Sequence, residues 1–125
     1  MDTLSLDHVT ALRDGWDDYI RFAAARPRLY AAMMNRVLNG AQIPAAEQAF
    51  ALLIGRVSAI AADGRLALAI AAAADLLWAS ANAASLLYVT AQLRNAAPPT
   101  PVVLEDLRES AMQTILTTES KGGSS

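Results

Sequence analysis

A chain of 125 residues, 54% hydrophobic and 18% charged, is long enough to form one domain and bury a core without cross-links. Its formal net charge of −2, with no block of lysine or arginine, excludes the concentrated basic footprint that duplex DNA requires. The absence of cysteine excludes disulfides and thiolate metal sites, and Met1-Asp2-Thr3 offers no basic leader ahead of an apolar run, so a cytoplasmic location is expected.

Apolar residues recur at helical spacing throughout, and no segment alternates as a half-buried strand does. The first helix is expected from about Ser5 to Ala25. Val9, Leu12, Trp16, Tyr19, Ile20 and Ala23 form its apolar stripe, while Asp14, Asp17, Asp18 and Arg21 point toward solvent. Arg13 with Asp17, and Asp17 with Arg21, have the spacing of surface ion pairs. Pro27 ends this helix and opens a short second one, which runs to Leu38 and stops at Asn39-Gly40.

A third helix is expected from Pro44 to Ala62, with Phe50, Leu53, Ile54, Val57, Ile60 and Ala61 on one side and Asp63-Gly64 as its stop. The fourth spans roughly Leu68 to Leu93. A stiff connector follows from Ala96 to Pro101. The fifth helix covers about Leu104 to Leu116, with Leu104, Leu107, Ala111 and Ile115 along one face. The expected architecture is an all-α five-helix bundle over residues 1–118, and the composition of residues 119–125 is that of a flexible tail.

The fourth segment also raises a membrane question, because Leu66 to Ala91 carries Asp75 as its one charge. Its apolar content is mostly alanine, and Ser80, Asn82, Ser85 and Thr90 interrupt it. A buried helix of a soluble bundle is therefore the expectation, with no membrane partner.

The residue inventory points away from catalysis. His8 is the single histidine, near the chain start, and neither metal-ligand spacing nor a glycine-rich phosphate loop occurs. No enzyme, cofactor or metal is expected. Two groups of residues suggest a ligand pocket instead. Trp16, Tyr19, Phe22, Tyr30, Met33, Met34 and Phe50 are aromatic or adaptable apolar side chains, although such residues at helical spacing also serve simply as core. On the fourth helix, Asp75, Trp78, Asn82 and Ser85 share a face. Buried polar groups there need partners, either a ligand that Asn82 orients or neighbouring side chains and backbone. Gly15 and Gly55 interrupt helices, which suggests close packing or room for another group. Small residues including Ala73, Ser80 and Ala84, with Ala111, Met112 and Ile115 on the last helix, offer a close-packed face to a second copy of the chain.

The run from Tyr19 to Met33 carries a "Y-x-x-F-A-x-x-x-P-x-L-Y-x-x-M" pattern on Tyr19, Phe22, Ala23, Pro27, Leu29, Tyr30 and Met33. It resembles the effector-binding half of TetR-type transcriptional regulators. One subgroup has Trp-x-x-x-His-Gly on its penultimate helix; here Trp78 is kept, and Asn82 and Ala83 stand in place of histidine and glycine. The resemblance implies that the first four helices enclose an effector pocket and that the last two build a homodimer. It also implies a DNA-reading half ahead of this domain; no helix-turn-helix is expected within this sequence, whether it is cut at the domain boundary or is a natural remnant. The expected function is effector binding and homodimerisation in a TetR-like regulator, without DNA binding by this chain. Trp16, Tyr19, Tyr30, Met33, Phe50, Trp78 and Asn82 are the candidate ligand contacts for a small hydrophobic or aromatic effector. The alternative is a ligand-free helical dimerisation or interaction module.

Overall fold

The computed structural model describes residues 2–117, with side chains from His8 onward; the expected tail, and residue 118 before it, lie outside the described residues. Five helices account for the fold: α1 (Asp2–Ala25), α2 (Pro27–Leu38), α3 (Pro44–Ala62), α4 (Ile70–Leu93) and α5 (Pro101–Ile115). The all-α class is as expected, and the boundaries of α2 and α3 coincide with the sequence reading.

Pro27, Pro44 and Pro101 each stand at the start of a helix, where a missing N–H costs nothing because the first turn has no acceptor for it. Pro101 therefore belongs to α5 and not to the connector, which moves the start of that helix three residues earlier than expected. Gly40 and Gly64 close α2 and α3 with φ of 89° and 74°, a left-handed conformation that side chains resist.

α4 is the organising element. Its 24 residues extend about 36 Å, and it packs against each of the other four helices. The main core joins Leu12, Trp16 and Ile20 of α1, Val57 and Ile60 of α3, Leu77 of α4, and Met112 and Ile115 of α5. A smaller core holds Ala23, Tyr30 and Val89 where α1, α2 and α4 meet. By length and composition α3 and α4 both qualify as candidate membrane spans, the first of them unforeseen in the sequence. In the fold α4 carries buried Asn82 and Ser85 at its contacts with the helices around it.

The charges of α1 behave differently from the expectation. Arg13 reaches across to α5 and grips Glu109 with two hydrogen bonds of 2.9 Å. Arg108 holds Asp17 through 2.8 and 2.9 Å contacts and also donates to Glu109 at 2.8 Å. Arg21 pairs with Asp18 rather than Asp17. Planar guanidinium groups bind carboxylates best in this forked geometry, which neighbours along one helix do not offer. The two arginines, Arg13 foremost, hold the Glu109 carboxyl below the ordinary carboxylate range. Near the other end of α1, His8 Nδ1 lies 2.8 Å from Asp63 Oδ2 at the end of α3, so this histidine ties two elements together. An antiparallel bridge between Leu66 and Leu116 fastens the end of α5 to the α3–α4 loop, with Ala67 donating to the Ile115 carbonyl at 2.7 Å and Thr117 to that of Arg65 at 2.9 Å.

Candidate functional site

Helices α1, α3 and α4 diverge around a cleft of about 320 Å³ that opens to solvent on one side. Its floor is apolar: Leu12, Trp16, Leu77 and Ala81 are all buried in the core beneath it. Tyr19 and Trp78 also line the cleft, as do three exposed residues, Leu52 (59% exposed), Ala49 and Asp18. Among the described residues, Arg56 contributes the one cationic side chain of the lining.

Of the expected ligand contacts, Trp16, Tyr19 and Trp78 line the cleft, and Tyr30, Met33, Phe50 and Asn82 do not. The reasons differ. Tyr30 has no exposed surface and Met33 packs against it in the smaller core, so the aromatic motif around Pro27 serves chiefly to lock α2 onto α1 and α4. No residue of α2 reaches the cleft, which α1, α3 and α4 form without it. Phe50 is half-buried on α3 and faces neither this cleft nor the smaller hollow beside it.

Asn82 is buried, and its hydrogen bonds are met from inside. Its Oδ1 accepts from Tyr19 Oη at 2.8 Å and from Tyr30 Oη, while its Nδ2 donates to the Trp78 carbonyl at 2.9 Å. An amide with both ends engaged is not aimed at a ligand; it positions the two phenols, whose rings meet edge to face at 6.2 Å between centroids. Burial drives both tyrosine pKa values up, so both phenols remain neutral donors to the amide oxygen. Through Tyr19 the network reaches the cleft wall. Trp16 is likewise satisfied at its polar end, with Nε1 donating to Ser80 Oγ at 2.9 Å and that hydroxyl donating to the Leu77 carbonyl at 3.0 Å. What these rings offer the cleft is therefore apolar surface.

Asp75, placed on the same face in the sequence reading, is exposed, and Ser85 is fully buried beside Tyr30 with a hydroxyl that completes no hydrogen bond of ordinary geometry. Sequence reasoning missed Leu12, Leu52, Leu53, Arg56 and Leu77 as cleft residues. Gly15 carried the one usable signal: a Cβ there would come within 2.6 Å of the Arg56 guanidinium, so the glycine makes room for that group over α1.

The expected dimer contacts also need correcting. Ala73, Ala84, Ala111, Met112 and Ile115 are all buried in the main core of a single chain, and Ser80 bonds Trp16. The five core side chains are not available to a second copy, and Ser80 is only partly exposed. The face of α4 that remains open is Ala72, Ala79, Ala83, Leu86, Thr90 and Leu93, rotated about 100° from the expected one.

Comparisons of the chain with protein-family models, with curated proteins and with solved structures found no match.

Proposed function

We propose that this chain is a sensory domain that binds a small, largely apolar or aromatic effector, acting as the effector-binding and dimerisation half of a TetR-like regulator. The cleft beside Trp78 carries this reading: apolar, ring-lined, open on one side and, at about 320 Å³, at the lower end of the range of small-molecule sites. Its walls come from three helices, so an occupant that draws α3 toward α1 changes the spacing at the helix ends, the kind of movement by which a ligand signals to an adjoining module. No DNA contact, enzymatic step or cofactor is part of this proposal, and a cytoplasmic setting suits it.

A neutral aromatic probe, 2-naphthylmethanol, is expected to raise the melting temperature. At a hundred times its dissociation constant the gain is about 2.7 kcal/mol. Leu52→Ala should leave the unliganded stability within about 0.5 kcal/mol, because that side chain is mostly exposed, yet shrink the probe's effect. No shift with the probe at millimolar concentration would favour the ligand-free module.

The dimer is proposed on the open face of α4. Ala72, Ala79, Leu86 and Leu93 recur every seven residues, with Ala83 and Thr90 between them, which is the seam pattern of paired helices. Exposed Val102 and Val103 extend the apolar surface at the start of α5. Sedimentation should give a dimer at micromolar concentration, and Leu86→Asp should give a folded monomer. A wild-type monomer at that concentration would remove the dimer from the proposal.

A further inference from the structure

Arg56 stands out among the residues of the cleft. Its Nη1 donates to the Ala11 carbonyl at 2.7 Å, and among the described residues no carboxylate lies within ion-pair distance of it. The nearest acidic side chain of the cleft, Asp18, is paired with Arg21 at 2.8 Å. The guanidinium is seated against Gly15, itself a cleft residue, and Arg56 also borders the neighbouring hollow lined by His8 and Ala59. A guanidinium carries five N–H donors and stays charged at all ordinary pH values, and the Ala11 carbonyl engages one of them. A fixed cation at the edge of an apolar cleft is most strongly completed by an anion that brings two parallel acceptors.

We infer that the cleft is built for an aromatic monocarboxylate: the ring system lies on Leu77 and Trp78, and the carboxylate forms a forked pair with Arg56. This deepens the proposed effector reading and rests on it. Arg56 supplies charge selection, and the glycine at position 15 is what lets its head group reach the cleft.

Calorimetric titration of the wild-type chain at pH 7 and low salt with 2-naphthoate and with 2-naphthylmethanol separates the two claims. The naphthoate is expected to bind at least ten times more tightly than the alcohol, and Arg56→Gln should reduce it to the alcohol's affinity while leaving the alcohol within twofold. Gly15→Ala provides an independent route, because it keeps every charge and displaces the guanidinium with a Cβ; it should lose most of the naphthoate preference. Equal binding of both probes to the wild type would overturn the carboxylate assignment and leave the apolar cleft standing. Binding of neither would overturn both. A tenfold preference that survives Arg56→Gln would remove Arg56 as the anchor.

Discussion

Asn82→Ala is expected to lower the melting temperature by about 10 °C, the largest effect of any single polar substitution in this fold. One amide oxygen accepts from two tyrosines, and Tyr30 is wholly enclosed. Removing that acceptor strands a buried donor, which costs about 1–3 kcal/mol, while Tyr19 recovers part of its loss by turning toward the open cleft. The amide volume is lost as well. Ser85 Oγ, buried beside Tyr30 without a partner of its own, offers a partial substitute and limits the total to about 3 kcal/mol. Tyr30→Phe makes the argument quantitative. Alone it should cost about 1 kcal/mol, and in the Asn82→Ala background close to nothing, because the acceptor has already gone. Additive losses in this cycle would show that the two side chains are not coupled as described.

Leu77→Ala is expected to cost about 3 kcal/mol. Leu77 is 2% exposed, sits two turns into α4 and forms part of the cleft floor. Truncation removes apolar contacts with α1 and deepens the cleft at the same point. Its counterpart is Leu52→Ala, at the rim of the same cleft, where the loss of stability is small. Chemical denaturation of the two variants should separate them by more than 2 kcal/mol with little change in the denaturant slope. Similar midpoints would mean that the floor of the cleft is not part of the core.

The helices were legible because their punctuation is local. Pro27 and Pro44 mark starts, Gly40 and Gly64 mark stops, and the stripe from Val9 to Ala23 states which side of α1 turns inward. α4 resisted the same treatment. It carries apolar residues on every side, and alanines occupy both the face around Ala73 and Ala84 and the face around Ala72 and Ala79. Periodicity identifies a face only when the opposite one is polar, so nothing in the sequence told the core side from the open side.

The site was partly legible for a related reason. Trp16, Tyr19 and Trp78 are large rings at inward positions, and they do meet at the cleft. Tyr30 and Asn82 are equally conspicuous in the sequence, but they satisfy one another, a pairing across 52 positions that no local pattern encodes. Arg56 carries no local signal of a site on α3. Its role depends on a backbone carbonyl 45 positions away and on the absence of a side chain at Gly15. The links between α1 and α5 follow the same rule: Arg13 had a suitable acid one turn along its own helix, and tertiary packing gave it Glu109 instead.

The proposed function requires that the space bounded by α1, α3 and α4 bind a ligand. Amide and indole chemical-shift mapping of the isotopically labelled chain during titration with 2-naphthylmethanol tests this most directly. Saturable shifts are expected at the Trp78 and Trp16 indoles, at Gly15 and at Leu52–Leu53, with α2 largely unaffected. Shifts absent at millimolar probe, or centred on Tyr30 and Met33 with the Trp78 indole unmoved, would contradict it.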